Sequence, residues 1–111
     1  MAQVQALIDA LSFDSLIDGN DIARVSGSTP RSVSRWQARK AIPKRDVEER
    51  LLELKSVLDL LREVLTDEPA RLWLKTPNPD LGYRKPIDVI SEGGYREVIA
   101  GILAMAEGVT A

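Results

Sequence analysis

The feature that most constrains this chain is the long run from Asp46 to Leu65, in which leucine and valine recur at helical spacing. Successive apolar positions lie alternately four and three residues apart: Val47, Leu51, Leu54, Leu58, Leu61 and Leu65. This heptad spacing is typical of one packed face of an α-helix. Additional apolar residues widen that face beyond a coiled-coil stripe: Leu52, Val57, Leu60 and Val64. We therefore expect a long helix that packs within its own domain and spares some surface for a second copy, in a homodimer.

The residue types that the chain lacks exclude most kinds of chemistry. At 111 residues it can form one compact domain, or two small helical units that share a core. Cysteine and histidine are both absent, which removes disulfides, thiolate nucleophiles, the usual zinc ligands and the commonest general base. The sequence thus predicts no catalytic residues and no metal site, so we do not expect an enzyme.

The distribution of apolar residues predicts a cytoplasmic protein. The acidic Asp9 comes early, and no cationic region precedes an apolar run, so the amino-terminal part does not resemble a signal peptide. The longest apolar run, Val98 to Ala106, is far shorter than the roughly 20 residues needed to span a bilayer. A membrane segment is therefore not expected.

The charges are unevenly placed, although the net charge is only −2. Between positions 24 and 45 every charged residue is basic: Arg24, Arg31, Arg35, Arg39, Lys40, Lys44 and Arg45. All 17 acidic residues lie elsewhere. This basic segment could suit a polyanion such as nucleic acid, whereas the rest of the chain would repel it.

A helix-turn-helix pattern begins near Asn20 and ends near Gln37. Its first helix has apolar or small residues toward the core: Ile22, Ala23 and Val25. Ala23 is small where the two helices would cross, and Gly27 supplies the permissive backbone of the turn four residues later.

The second helix of this pattern has a clear start. Ser28 or Thr29 can cap it, and Pro30 fits its first position. Val33 and Trp36 should face the core. The opposite face carries Arg31, Ser32, Arg35 and Arg39, where arginines at one-turn spacing can bind guanine edges or phosphates. The predicted DNA contacts are Ser28, Thr29, Arg31, Ser32, Arg35 and Arg39, although arginines on a solvated face of a small helical domain can also have no partner.

Prolines shape the stretch from Arg71 to Ile90 into a helix, a rigid elbow and a new helix. Thr76 and Asn78 each precede a proline, which lacks an N–H and pushes the residue before it toward an extended conformation. Pro86 then sits where a helix tolerates proline, at the first helical position, and Asp88 lies in the first turn near the positive helix end.

The elements beside this elbow suggest contacts with a partner. Asp67 can cap a short helix over Glu68 to Leu74, which carries Trp73 as a core anchor. The loop from Tyr83 to Lys85 combines exposed aromatic and polar groups, which favours partner contacts. The final helix, Tyr95 to about Glu107, is apolar over more surface than one packing stripe requires. It is either sandwiched centrally or part of an interface.

The last roughly 40 residues resemble the C-terminal toxin-binding module of Xre/MbcA/ParS-type antitoxins. The shared pattern comprises W-L before P-N-P, a following leucine, a P-I-D-x-I helix start, a glycine, an apolar helix with Val98, and a closing G-V at Gly108 and Val109. This resemblance implies an antitoxin of a type II toxin–antitoxin system, which neutralises a RES-domain toxin by occluding its active site. Toxins of that kind consume NAD or transfer ADP-ribose from it, and the antitoxin needs no cofactor. Members usually carry an Xre-like helix-turn-helix that represses their own operon, although in some it no longer binds DNA.

The resemblance also supplies the expected toxin contacts. They are Trp73, Pro77, Asn78, Tyr83, Arg84, Lys85, Tyr95 and the chain end, Gly108, Val109, Thr110 and Ala111. In such antitoxins the chain end lies at the mouth of the toxin's NAD pocket. We therefore expect an all-α fold, with an Xre-like helix-turn-helix part at 1–45, a connecting helix at 46–66 and a toxin-binding module at 67–111. A plain transcriptional regulator whose C-terminal half only dimerises stays open as an alternative, and a small enzyme is disfavoured because no catalytic spacing is recognisable.

Overall fold

The computed structural model describes residues 2–108, which form seven α-helices and one short 3-10 helix. The α-helices are α1 (Ala2–Ser12), α2 (Gly19–Ser26), α3 (Pro30–Gln37), α4 (Arg45–Val64), α5 (Asp67–Lys75), α6 (Pro86–Ser91) and α7 (Tyr95–Ala106). The 3-10 helix is Pro79–Leu81. Within this range β structure is limited to one isolated bridge between Asn78 and Arg84, so the predicted all-α fold is confirmed. The molecule measures 48 × 23 × 21 Å.

Helix α4 is the centre of the fold, because it packs against α1, α2, α5 and α7. The inner positions of its heptad pattern are fully buried: Leu51, Leu54, Leu58 and Leu61. Val57 is buried as well, whereas Leu52 remains 49% exposed. The predicted long helix is confirmed, and its wide apolar face supports one core shared by the whole described chain.

Helices α2 and α3 are both capped at their starts by side chains, and a short turn joins them. Asp18 caps α2 through a capping box: its side chain accepts from the Asp21 N–H at 2.9 Å, and the Asp21 side chain accepts from the Asp18 N–H at 3.0 Å. Gly27 ends α2 with φ 70°. Thr29 caps α3 by accepting from the Ser32 N–H at 3.1 Å.

Inside this unit α2 packs against α3, and the residues expected at the crossing are buried. These are Ala23 in α2 and Val33 and Trp36 in α3. The predicted inward faces of both helices are therefore confirmed.

The segment from α5 to α6 follows the proline pattern with one correction. Thr76 and Asn78 are extended, with ψ 132° and 121°, and Pro86 is the first residue of α6. The prediction that Asp67 caps α5 is wrong, because Asp67 is the first residue of that helix and Thr66 precedes it. The Asp67 carboxylate instead accepts from Ser15 and Arg62.

Helix α7 has one buried and one exposed side. Val98 and Ile102 are fully buried where α7 packs on α4 and α6, whereas Leu103 is exposed. Helix α7 therefore packs against the core on one side and is exposed on the other. In the part of the chain that the structure covers, every helix is too short or too polar to cross a membrane.

Candidate partner-binding and nucleic-acid surfaces

The elbow loop, residues 76–85, is held together by Asn78. The Asn78 side chain accepts from the Asp80 N–H at 2.9 Å and so caps the 3-10 helix. The Asn78 N–H donates to the Arg84 carbonyl at 3.0 Å, and the Asn78 carbonyl accepts from the Tyr83 N–H at 2.9 Å. These hydrogen bonds close a compact, well-defined turn between α5 and α6.

Tyr83 is the most unusual residue of the elbow loop. Its φ of 63° lies in the left-handed region, which costs a non-glycine residue on the order of 1–2 kcal/mol. The residue is also 74% exposed, so burial of the ring does not offset that cost. A strained backbone that presents an exposed aromatic ring is typical of a contact site.

The other predicted toxin contacts lie at or near this loop. Pro77 and Lys85 are exposed within it, and Arg84 forms an ion pair with Glu92 just beyond α6. Trp73 is half-buried, and its indole carbon Cζ2 would lie 3.8 Å from a β-carbon placed on Gly101 of α7. Trp73 thus packs as the predicted core anchor.

The remaining predicted contacts belong to α7 and the segment after it. Tyr95 begins α7, is half-buried, and has the Arg96 guanidinium 5.9 Å from its ring centroid. Gly108 follows α7 with φ 68°, as expected of a glycine that ends a helix. Val109, Thr110 and Ala111 lie outside the described residues.

The basic surface of α3 is smaller than the sequence suggests, and it is centred on Arg31 and Arg35. Both side chains are exposed, and together with Lys40 they line a shallow depression beside Ser34 and Ala38. Across residues 2–108 no carboxylate forms an ion pair with any of these three cations. Helical spacing alone does not point to Lys40, because it follows the end of α3.

The placement of Arg39 on the exposed face of α3 is wrong. The helix ends at Gln37, and Arg39 lies beyond it with φ 61°. Its guanidinium forms an ion pair with Asp9 of α1 at 3.1 Å. Arg24, another member of the basic segment, is paired with Asp88. The Thr29 hydroxyl caps α3, as one of the two residues predicted to do so, and Ser28 and Ser32 are half-buried.

A polar network joins the loop after α1 to α4 and α5. Arg62 donates to both oxygens of Asp14, at 2.6 and 2.9 Å, and this hydrogen bonding raises the pKa of Arg62. The Ser15 hydroxyl donates to Asp67 at 2.7 Å. That hydrogen bond, followed by the Arg62 guanidinium, holds the pKa of Asp67 below its ordinary value. The network fixes the first loop against the second half of the molecule.

The chain is similar to known antitoxins in sequence and in fold. Residues 60–108 match the sequence model described as the antitoxin Xre/MbcA/ParS C-terminal toxin-binding domain. The mycobacterial cidal antitoxins MbcA of Mycobacterium tuberculosis and Mycobacterium bovis are each 44% identical over 89 residues, which cover 80% of this chain and 79% of the relative. A chain in the crystal structure of the M. tuberculosis MbcT–MbcA toxin–antitoxin complex aligns with TM-score 0.82 and 36% identity, over 96% of both chains. This chain therefore belongs to the Xre/MbcA/ParS family of antitoxins.

Proposed function

We propose that this protein neutralises a RES-domain toxin by binding it and occluding its active site, and that it represses its own operon by binding operator DNA. The toxin would consume NAD or transfer ADP-ribose from it. The antitoxin would contribute no catalytic group and no cofactor, and it would act in the cytoplasm, where operator and toxin meet.

The elbow loop carries the toxin-binding part of this proposal. It lies inside the segment that matches the toxin-binding domain, and its hydrogen bonds hold an exposed Tyr83 in a strained conformation. Preorganised loops lose less conformational entropy on binding than mobile ones. The relative MbcA is found in a complex with the toxin MbcT, which supports a toxin as the partner of this chain.

Occlusion is assigned to residues 108–111. Gly108 follows α7 with its backbone in the left-handed region, as glycines after a helix end commonly do. A pocket that binds the pyrophosphate of NAD should offer many donors and positive charge, and a slim peptide can reach into such a pocket. Trp73 and Tyr83 would supply affinity for the toxin. Residues 108–111 would keep NAD out of the toxin's pocket.

Operator binding is assigned to the basic depression of α3. Arg31, Arg35 and Lys40 lack carboxylate partners in the described structure, so neutralising DNA phosphates would not require breaking an ion pair. Helix-turn-helix proteins commonly bind DNA as dimers. Leu52 of α4 and Ile42 are both about half exposed, which supports the proposed homodimer. DNA contact is thus assigned to residues 1–45, toxin contact to 67–111, and the connection between them to 46–66.

Co-expression with the product of the adjacent reading frame tests the proposal against a plain transcriptional regulator. We expect the two proteins to co-purify, and Tyr83→Ala to weaken the complex. Phe13→Ala is the matched control, because Phe13 is an aromatic residue that is 89% exposed but lies in the loop after α1. A regulator whose second half only dimerises would bind operator DNA and leave that product behind.

A further inference from the structure

Two ion pairs connect α2 to the two ends of the elbow loop. Lys75, the last residue before the loop, donates to both carboxylate oxygens of Asp21, at 2.7 and 2.9 Å. Arg24 Nη1 lies 2.5 Å from Oδ1 of Asp88, in the first turn of α6 just after the loop. Because Asp21 and Arg24 are three residues apart in one helix, they lie on the same side of α2.

The acidic partner of each ion pair is more buried than its cation, although the Asp88 side chain as a whole is still 27% exposed. The Asp21 side chain is only 12% exposed, and its carboxylate is also fixed by the Asp18 N–H in the capping box of α2. Asp88 Oδ1 is buried and, among the described residues, makes no hydrogen bond of good geometry, so the charge of Arg24 is its compensation. Removing a cation from such a pair leaves a buried charge unpaired, which is costlier than breaking a pair at the surface.

The elbow loop's internal hydrogen bonds do not by themselves fix how far apart α5 and α6 stand. Asn78 ties Tyr83 and Arg84 to itself, so its bonds act within the loop. Helices α5 and α6 pack directly against each other, and α2 packs against α6. The ion pairs of α2 add connections at the two points where the loop joins α5 and α6.

We infer that Asp21 and Arg24 are positioning residues for toxin binding, and that α2 reinforces the separation of the two ends of the elbow loop. The inference rests on the proposed function, because it assigns α2 a role at the same toxin-binding surface. Part of the helix-turn-helix therefore serves the second half of the protein. Toxin affinity should consequently depend on residues outside the segment 60–108.

Arg24→Ala and Lys75→Ala test this, because both cations are substantially exposed and their loss leaves the core intact. Lys55→Ala is the matched control, since it removes an ion pair with Asp59 that lies entirely within α4. The first measurement is hydrogen exchange of the Asn78 and Tyr83 amides in the full chain. We expect exchange about fivefold faster in the two test variants and unchanged in the control.

The second measurement is the dissociation constant for the product of the adjacent reading frame. It should rise about fivefold in Arg24→Ala and in Lys75→Ala, and stay constant in Lys55→Ala. The Asp88→Ala substitution should change hydrogen exchange of the loop amides less in the Arg24→Ala variant than in wild type. In the Arg24→Ala variant the ion pair is already broken.

The outcomes separate the inference from the proposed function. Unchanged amide exchange in both Arg24→Ala and Lys75→Ala would overturn the role of α2. The inference would also fail if amide exchange in these variants is faster but they bind the product of the adjacent reading frame as tightly as wild type. If wild type itself ignores that product, the proposed toxin partner is wrong, whereas the exchange data still decide whether α2 holds the loop.

Discussion

Gly94 approaches Val89 so closely that a β-carbon at position 94 would lie 2.6 Å from Val89 Cγ1. The Gly94 N–H donates to the Val89 carbonyl at 2.8 Å, which holds the two residues together. Val89 is buried, so its side chain has little room to move. Position 94, between α6 and α7, therefore needs glycine because a side chain has no space there.

Replacing Gly94 by alanine should lower the free energy of unfolding by about 1–3 kcal/mol, because the methyl group must displace the Val89 side chain or the backbone. Urea denaturation measures the loss. Gly19→Ala is the control, since a β-carbon there meets nothing within 4 Å, and its effect should stay within about 0.5 kcal/mol. Equal stability of the two variants would show that the packing of α6 and α7 tolerates the methyl group.

Asp67 should make stability depend on acid pH. The Ser15 hydrogen bond and the Arg62 charge lower its folded pKa below the ordinary value of 3.8. A lowered carboxyl pKa contributes stability that is fully present above the unfolded pKa and is lost as pH falls through the folded pKa. Asp67→Asn should thus be less stable than wild type at neutral pH, and the difference should shrink below pH 3.8. Urea midpoints across that range measure it, and a constant difference would contradict the assigned ionisation.

Arg31 and Arg35 should dominate operator binding. Replacing either with alanine should cost about 1–3 kcal/mol of binding free energy if its guanidinium reaches a base edge. Lys40→Ala should instead weaken binding to all sequences alike and reduce the salt dependence, as expected of a phosphate contact. Titrations of operator and random DNA at several salt concentrations separate these effects.

The control for the DNA titrations is Arg39→Ala, because that guanidinium already pairs with Asp9. It should reduce operator affinity less than Arg31→Ala. Toxin binding should be the same in all four variants. Operator affinity equal to wild type in the Arg31→Ala, Arg35→Ala double variant would remove the DNA-binding role from α3.

A variant that stops at Glu107 should separate binding from blocking. It retains Trp73, the elbow loop and all of α7, so we expect it to fold and to stay bound to the toxin. The toxin in that complex should nevertheless turn over NAD, because residues 108–111 would no longer cover its pocket. If the truncated complex is intact and as inactive as the full-length one, blocking comes from the helices or from holding the toxin in an inactive assembly.

Local sequence rules predicted most of the elements. Thr29 and Pro30 start α3, Pro86 starts α6, and the heptad leucines of α4 are buried, because caps, proline geometry and apolar periodicity act over a few residues. The extended Thr76 follows from the proline beside it in the same way.

Interactions between distant residues were beyond such rules. Arg39 pairs with Asp9 and Asp67 with Ser15, partners that lie 30 and 52 positions away along the chain. The left-handed backbone of Tyr83 depends on hydrogen bonds centred on Asn78, and no residue type there signals it. The ion pairs of Asp21 and Arg24 likewise emerge only when α2, α5 and α6 are brought together.

Neutralisation is measured most directly as NAD consumption by the purified cognate toxin, titrated with this protein. With one equivalent or more of full-length antitoxin, consumption should fall to background, and Tyr83→Ala should require a larger excess. A toxin that keeps its full rate with excess antitoxin, while the two proteins co-purify, would contradict active-site occlusion.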